Sequence, residues 1–275
     1  CVLAAAGIRV AIFDGLRPTP ELSFAVRELH AVAGINITAS HNPKEYNGYK
    51  AYWEDGAQIG PEQAKVVSAE RQKFDVLDLS GIADFDEAVK DGRITVLGEA
   101  FDERYLSAVL ATAVDENAVR EVADDLKFVY TPLHGAGYRL VPEVFRRRGL
   151  RHLYTVDAQM TPDGNFPTVK KPNPEYAAVF TLGIGIADRV GSDLIVATDP
   201  DSDRIGVALR NKKGEYVLLN GNQTLVLLMS YQLTRWAERG ELDGNQYVVK
   251  TIVTSQMANA VADYFKVKCY DCLTG

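Results

Sequence analysis

The chain alternates between short apolar runs and helical stretches, and this alternation limits the fold more than any other feature of the sequence. Residues 128–131 form an apolar run that leads through the glycine-rich loop Pro132–Gly137 into a segment with Leu140, Val144 and Phe145 at helical spacing. A strand, a glycine loop and a helix in this order are typical of a βα unit. Because similar units recur along the chain, the sequence predicts an α/β protein built from mixed βα units in series.

The glycine-rich loop Pro132–Gly137 allows two interpretations. Its backbone N–H groups could hold a phosphate, but the spacing of its glycines matches neither the dinucleotide-binding nor the Walker fingerprint. A tight entry into the following helix accounts for the same residues, and we favour it. His134 is then expected to be structural and not catalytic.

The length of the chain predicts more than one domain. Its 275 residues exceed the roughly 100 to 200 of a typical domain, so we expect two or three compact units. A polar, net acidic connector at residues 74–93 and a turn at Asn211–Gly214 indicate where units meet. The predicted division is 1–97, 98–212 and 213–275.

Charge and hydropathy exclude some classes of partner. The net charge of −7 and the lack of a long run of positive residues argue against nucleic acid, which binds to a concentrated cationic surface. No stretch of about 18 consecutive apolar residues occurs, so no membrane span is expected. A small anionic ligand needs only a few local cations and stays compatible with the sequence. No feature implies a protein partner.

The three cysteines are too few for a fold built on disulfides, and they fit a reducing compartment, so the cytoplasm is the expected location. Cys269 and Cys272 have the spacing of a redox pair or of half a zinc site. A second cysteine pair is missing and the histidines lie far away in sequence, so we favour two incidental thiols near a strand end. The chain starts at Cys1 and not at methionine, which we interpret as a partial chain.

The apolar run Ile35–Thr38 leads into a polar segment, residues 38–48, that is named the serine loop below. Ser40 lies just past the predicted strand end, where unpaired backbone N–H groups could hold a phosphate. His41 follows directly, and Lys50 stands just after the loop. Ligands bind at the carboxyl ends of strands in open α/β sheets, so this segment is predicted to form part of a functional site.

A second polar segment, residues 199–204, is named the acidic loop below. Asp199, Asp201 and Asp203 occupy alternate positions directly after the apolar run Asp193–Thr198. Three such carboxylates would repel one another without a cation among them, so they predict a site for a hard metal, Mg²⁺. A solvated acidic turn is the alternative, which we disfavour because the triplet ends a core strand. An EF-hand is excluded, because its required glycine and glutamate are both arginines here.

The two loops can be joined by one assumption. Mg²⁺ bound by three carboxylates has open positions, which are commonly filled by water or phosphate oxygen. A phosphorylated Ser40 would supply one such oxygen, and the metal would neutralise the charge that develops on a transferred phosphoryl group. The hypothesis is a phosphoryl-transfer centre made of both loops.

The segments Thr38–Pro43, Tyr46–Lys50 and Asp199–Arg204 resemble, in this order and at this separation, the phosphoserine and metal loops of the α-D-phosphohexomutases. The Asp-Pro form of the acidic loop, with His-Gly-Ala-Gly and Pro-Asn-Pro-Glu segments between the motifs, is most similar to the phosphoglucomutase/phosphomannomutase branch. The resemblance implies domains that each consist of a sheet sandwiched by helices.

The resemblance also assigns the predicted division of the chain. Residues 1–97 resemble the C-terminal part of the phosphoserine-loop domain, domain 1, and residues 98–212 resemble the metal-binding domain, domain 2. Residues 213–275 resemble the start of the sugar-recognition domain, domain 3, and the family's domain 4 has no counterpart in this chain.

By resemblance, Ser40 is the residue that gives its phosphoryl group to a hexose phosphate and takes one back from the bisphosphate. The implied ligands of Mg²⁺ are the Ser40 phosphate, Asp199, Asp201 and Asp203. The implied reaction is the interconversion of hexose 1-phosphate and hexose 6-phosphate, glucose before mannose, through a hexose 1,6-bisphosphate that also serves as activator.

Three more residues have roles implied by the resemblance. The planar guanidinium of Arg204 suits a phosphate oxygen. His41 and Lys50 resemble the residues that assist proton transfer at the sugar hydroxyl. A free lysine would need a large downward shift of its pKa to act as a base, so a purely electrostatic role for Lys50 is the alternative. His41 follows Ser40 directly and could instead only shape the loop.

Several departures limit the resemblance. Ser202 stands where a smaller residue or cysteine is usual, and the family's N-terminal arginine motif, Glu-x-Ser-Gly loop and phosphate-binding domain have no match, so the chain alone is expected to be inactive. One alternative is a haloacid-dehalogenase-like phosphatase with Asp199 as nucleophile, which Asp203 disfavours because that family has Thr or Val there. The other is an inactive module that binds Mg²⁺ or a sugar phosphate.

Overall fold

The computed structural model describes residues 1–75 and 81–274, in which strands and helices alternate along the chain. The strands are β1 Val10–Phe13, β2 Ala33–Ile37, β3 Tyr49–Trp53, β4 Ile94–Leu97, β5 Lys127–Thr131, β6 His152–Thr155, β7 Leu194–Thr198, β8 Ile205–Arg210, β9 Tyr216–Leu219, β10 Tyr247–Thr251 and β11 Lys268–Cys272. The helices are α1 Val2–Ala5, α2 Thr19–Glu28, α3 Pro61–Arg71, α4 Phe85–Lys90, α5 Glu99–Ala111, α6 Glu116–Val122, α7 Gly137–Arg147, α8 Asp157–Met160, α9 Thr181–Val190, α10 Gly221–Glu238 and α11 Met257–Tyr264.

Within the described residues, the largest sheet has the strand order β6-β5-β7-β8-β9. Strands β6, β5 and β7 are parallel, whereas β8 and β9 run antiparallel to their neighbours. Three pairs of strands lie outside this sheet. They are β1 with β4 and β10 with β11, both parallel, and β2 with β3, which is antiparallel. The prediction of mixed βα units is confirmed.

Helices cover both faces of the largest sheet. On β5, Phe128 packs edge-on against Phe145 of α7, with ring centroids 4.8 Å apart. Its neighbour Val129 points to the opposite face, since successive strand residues alternate, and it packs toward Gly183 of α9. A side chain at Gly183 would also meet Ile195 at 3.1 Å, so a glycine lets α9 approach the sheet closely. The predicted sandwich of a sheet between helices is confirmed.

Helix α2 is shorter than predicted. The periodicity predicts a helix to about Ala33, capped by Thr19 and ended by Gly34. Instead α2 ends at Glu28, Thr19 is its first residue without a capping bond from its side chain, and Gly34 lies within β2. A Cβ atom at Gly34 would lie 2.6 Å from a methyl group of Val26. Gly34 is therefore needed for the close packing of α2 on β2.

Other predicted boundaries also shift. The predicted connector, residues 74–93, lies partly outside the described residues, but it contains α4. The segment Asn173-Pro174-Glu175 predicts a helix that starts at Pro174 with Asn173 as its cap. Instead a 3₁₀ turn at Ala177–Phe180 comes before α9, although Asn173 does accept a hydrogen bond from the Glu175 backbone N–H. Helix α6 was not predicted.

The division at residues 212 and 213 falls in the hairpin that joins β8 to β9, and both strands belong to the same sheet. The three-part division of the chain stays a prediction.

Among the described residues, no helix has both the length and the apolar character required to cross a membrane.

Candidate active site

The acidic loop follows β7, a central strand of the largest sheet, and its carboxylates converge. Carboxylate oxygens of Asp199, Asp201 and Asp203 lie within 4.8 Å of one another. Asp199 is fully buried and Asp201 is 4% exposed, whereas Asp203 is open to solvent. The sequence-predicted acidic cluster is therefore brought together in space, and two of its carboxylates lie inside the protein.

The glycine-rich loop Pro132–Gly137 packs directly against the acidic loop. The backbone N–H of Ala136 donates to the carbonyl of Pro200 at 2.6 Å, and a methyl group at Gly135 would overlap the Pro200 backbone. His134 is 4% exposed, and its two ring nitrogens lie 3.2 Å from the Thr161 carbonyl and 2.9 Å from the Thr168 hydroxyl. The loop forms a tight support, and His134 is structural.

Ser40 faces the acidic loop although it lies far away in sequence. Its hydroxyl donates to Oδ2 of Asp199 at 3.1 Å, and its Oγ lies 3.3 Å from Nδ1 of His41. The backbone of Ser40 is left-handed, with φ of 53°, and its N–H donates to the Thr38 hydroxyl at 2.8 Å. Such strained conformations cluster at functional sites. The bond to Thr38 stabilises the turn that presents the hydroxyl.

Lys50 reaches the acidic loop from β3. Its Nζ donates to Oδ2 of Asp201 at 2.8 Å and to Oδ2 of Asp203 at 2.9 Å. Burial opposes the charged ammonium, but these two carboxylates outweigh it and raise the pKa of Lys50. The geometry therefore favours the electrostatic role of Lys50 over that of a base.

The two buried carboxylates have opposite pKa shifts. Burial, followed by the charges of Asp201 and Asp203, raises the pKa of Asp199 to about 7. Burial opposes ionisation of Asp201 as well, but the hydrogen bond and charge of Lys50, together with hydrogen bonds to Asp199 and Ser40, outweigh it and lower the pKa of that carboxyl. Close carboxylates cannot all ionise without compensating positive charge.

The carboxylate cluster fits a bound Mg²⁺. Oδ1 of Asp201 is buried and has no hydrogen-bond partner among the described residues, which is costly unless a cation or donor satisfies it. Mg²⁺ prefers carboxylate and phosphate oxygens and keeps several waters. Asp199, Asp201 and Asp203 provide such oxygens, and the hydroxyl of Ser40 lies beside them.

His41 and Arg204 flank this cluster. Burial, followed by the positive charge of Arg204, lowers the pKa of His41, so its imidazole is neutral at pH 7. The backbone N–H of Arg204 donates to Oδ1 of Asp199 at 3.0 Å, while its side chain is exposed. The structure thus brings all the predicted site residues to one place.

Thr19 and Asn36 contact the site but were not predicted as part of it. The hydroxyl of Thr19 donates to Oδ2 of Asp201 at 3.2 Å, and Nδ2 of Asn36 donates to the Thr19 hydroxyl at 2.7 Å. A signal was available for Asn36, because it is an amide within the apolar run Ile35–Thr38. Thr19 carried no such signal, because a helix cap explains a threonine directly before Pro20 as well as a role in the site does.

The fold and the site define an α/β protein with a carboxylate cluster and a serine hydroxyl at the carboxyl edge of a sheet. Two family models match the chain. Residues 1–75 match phosphoglucomutase/phosphomannomutase alpha/beta/alpha domain I, and residues 103–214 match alpha/beta/alpha domain II of the same family.

The chain is also similar to curated proteins over its whole length. It is 40% identical to a phosphoglucomutase of Staphylococcus saprophyticus and 35% identical to one of Staphylococcus aureus strain N315. Both alignments cover 100% of this chain and 48% of the relative. The chain therefore spans about half the length of the curated relatives it matches.

Solved structures have the same fold. A Thermus thermophilus protein assigned as a phosphomannomutase superposes with a TM-score of 0.73 at 25% identity, covering 99% of this chain and 56% of that one. Aspergillus fumigatus N-acetylphosphoglucosamine mutase, solved with GlcNAc-6P and magnesium, gives a TM-score of 0.55 at 17% identity, over 100% of this chain and 60% of that one. At that identity the likeness shows the fold alone.

The chain belongs to the phosphoglucomutase/phosphomannomutase family, and it contains matches to the family's first two domains. The resemblance in the serine and acidic loops is thereby confirmed at the level of the family.

Proposed function

We propose that the whole protein that contains this chain is a phosphohexomutase, which interconverts hexose 1-phosphate and hexose 6-phosphate through a phosphorylated Ser40. One observation carries the proposal. The Ser40 hydroxyl lies 3.1 Å from a buried carboxylate of the acidic loop, 159 positions away in the sequence. Neither loop has an evident use alone, whereas together they provide a phosphoryl carrier and ligands for a cation.

In this proposal Asp199, Asp201 and Asp203 hold Mg²⁺, with the Ser40 phosphate as a further ligand. The metal, when bound, would neutralise negative charge on the transferred phosphoryl group. Lys50 adds a positive charge beside Asp201 and Asp203, which limits their repulsion.

The phosphoryl transfer breaks one bond to phosphorus and forms another. The bond between phosphorus and Oγ of Ser40 breaks, a new bond forms between phosphorus and a sugar hydroxyl oxygen, and the proton of that hydroxyl ends on Ser40. His41 is neutral and 3.3 Å from Oγ of Ser40, so we assign it the movement of this proton. Arg204 is assigned to a phosphate oxygen, since its guanidinium is exposed next to His41.

Glucose is the proposed hexose, with mannose as the alternative, because the similar curated proteins are phosphoglucomutases. The proposed intermediate and activator is the corresponding hexose 1,6-bisphosphate. Sugar selection is assigned to the half of the relatives' length that this chain does not span.

The first prediction tests Ser40 in the whole protein. Ser40→Ala should lose mutase activity by at least about a thousandfold, because Ser40 is the proposed phosphoryl carrier and the nearby hydroxyls of Thr19 and Ser202 are buried. Incubation with glucose 1,6-bisphosphate should add one phosphate to the wild type and none to Ser40→Ala in intact-mass measurements. Activity is measured by coupling glucose 6-phosphate formation to a dehydrogenase.

Ser107→Ala is the matched control, because this serine is exposed on α5 and bonds only the Glu103 carbonyl. It should keep both activity and phosphate uptake. Undiminished turnover in Ser40→Ala would refute the proposal. A label that hydroxylamine removes would instead indicate an acyl phosphate on Asp199, the chemistry of a phosphatase.

A further inference from the structure

Two hydrogen bonds connect Thr19, at the start of α2, to Asp201, and a third connects Asn36 of β2 to Thr19. The backbone N–H of Thr19 donates to the Asp201 carbonyl at 2.8 Å, and the Thr19 hydroxyl donates to Oδ2 of the same residue at 3.2 Å. Nδ2 of Asn36 donates to the Thr19 hydroxyl at 2.7 Å. Thr19 is 5% exposed, so these bonds are shielded from water.

The direction of these bonds is fixed by chemistry. The amide nitrogen of Asn36 can only donate, so the Thr19 oxygen accepts there and its single proton is left for Asp201. Oδ2 of Asp201 therefore has two donors, the Thr19 hydroxyl and the Lys50 ammonium. Oδ1 of Asp201 has none among the described residues and is buried, which leaves it as the oxygen that can bind a cation.

The hairpin of β2 and β3 sets this arrangement. Asn36 and Lys50 are register partners, and directly opposite residues of an antiparallel pair point to the same face. Both side chains therefore reach Asp201 from one face, Lys50 directly and Asn36 through Thr19. Asn36 also lies four positions before Ser40, so the same strand positions the proposed phosphoryl carrier.

We propose that Thr19 and Asn36 are positioning residues for the metal site, which orient the Asp201 carboxylate so that Oδ1 faces the cation. This inference rests on the proposed function, because it requires the acidic loop to bind a divalent metal. Partners that orient a metal ligand commonly change metal affinity by 10- to 100-fold when they are removed. The pair also fixes the distance between the serine loop and the acidic loop.

The side chain of Thr19 can be tested apart from its backbone. Thr19→Val keeps the shape and the backbone bond to the Asp201 carbonyl but removes the hydroxyl, while Thr19→Ser restores a hydroxyl. Asn36→Leu removes the donor that directs the Thr19 proton. Thr112→Val is the control, since the Thr112 hydroxyl is exposed and bonds only the Val109 carbonyl.

The experiment measures Mn²⁺ binding to the whole protein that contains this chain, by isothermal titration calorimetry and by electron paramagnetic resonance of the free ion. Thr19→Val should weaken Mn²⁺ binding by about tenfold, and Asn36→Leu by a smaller factor of about three to five. Thr19→Ser should stay within about twofold of the wild type, as should Thr112→Val. Thermal unfolding followed by circular dichroism checks that each variant folds.

The outcomes separate this inference from the proposed function. Wild-type affinity in both Thr19→Val and Asn36→Leu would overturn the positioning role while leaving the metal site and the proposed function intact. If the wild-type chain bound no Mn²⁺, both would fail. If Thr19→Val did not fold, Thr19→Ser and Asn36→Leu would decide, since a positioning role requires tight binding in the first and weakened binding in the second.

Discussion

The serine loop and the acidic loop meet at one site, but the protein holds them in different ways. The acidic loop follows β7, which has a hydrogen-bonded strand on each side. The first two carboxylates of the loop are buried. The serine loop ends β2, whose described pairing is with β3 alone, and Tyr46 within the loop is 65% exposed. The comparison indicates that the acidic loop is preformed by the sheet. The serine loop depends instead on the contact of Ser40 with Asp199 and on the bonds of its hairpin to α2 and Asp201.

The largest effect is expected from a side chain under the acidic loop. Gly135→Ala would drive a methyl group into the Pro200 backbone, which the Ala136 N–H holds in place by a hydrogen bond. We expect a loss of roughly 3 kcal/mol in the free energy of unfolding, at the upper end for overpacking. Urea denaturation followed by circular dichroism measures this change.

Gly48→Ala is the matching variant in the serine loop, where a methyl group would overlap the Thr38 carbonyl. Because this loop is exposed, we expect it to shift, with a stability loss of only about 1 kcal/mol. Gly164→Ala is the control, since no atom lies within 4 Å of its added carbon. Equal losses for Gly135→Ala and Gly48→Ala would contradict the comparison.

A pH-dependent effect on stability is expected at Glu21, which lies on α2, the helix that begins at Thr19. Glu21 is fully buried, and burial, with the nearby charge of Asp102, raises its pKa to about 8. The folded protein thus keeps a proton on Glu21 that the unfolded chain loses above about pH 4.5. Stability should therefore fall as the pH rises from 5 to 8.

Glu21→Gln removes this titration while keeping the shape of the side chain. At pH 4 its melting temperature should be close to that of the wild type, and at pH 6 it should be higher by about 4–8 °C, for a difference of on the order of 2 kcal/mol. Scanning calorimetry at both pH values measures the difference. Glu62→Gln, at a glutamate with an 87% exposed side chain, should show no such trend. A parallel pH profile for wild type and Glu21→Gln would count against this prediction.

The smallest expected effect is a gain in stability within the acidic loop. Ser202 has a left-handed φ of 56°, and its buried hydroxyl has no hydrogen-bond partner among the described residues. Ser202→Gly relieves both costs and should stabilise the protein by about 1 kcal/mol. Ser202→Ala relieves only the second cost and should gain less. A loss of stability in Ser202→Gly, measured by urea denaturation, would show that the hydroxyl has a partner.

The elements that carry chemistry could be predicted because their signals are local. Asp199, Asp201 and Asp203 directly follow an apolar strand, and Ser40 follows another, so their place at strand ends is written in short stretches of sequence. The segment Tyr49–Trp53 predicts a return strand, and β3 has the same bounds. The family resemblance rests on those same short stretches.

What the sequence could not predict depends on contacts between distant segments. Gly34 reads as a helix end, and only the packing of Val26 against it shows why a glycine lies inside β2. Thr19 suits a helix cap, and its bond to Asp201 crosses 182 positions of sequence. No local pattern encodes such a pairing, so the sequence missed Thr19 and Asn36, although it did predict which carboxylates lie together at the site.

The separation of Ser40 from Asp199 also has a consequence for the order of events during synthesis. Strands β2 and β3 pair within a short segment, so this hairpin can form as soon as it leaves the ribosome. Asp199 follows Ser40 by 159 residues, which takes roughly 10 to 30 s at ordinary translation rates. During that interval the growing chain contains Ser40 and Lys50 but not the acidic loop, so the Ser40 hydroxyl meets Asp199 only after most of these 275 residues have been made.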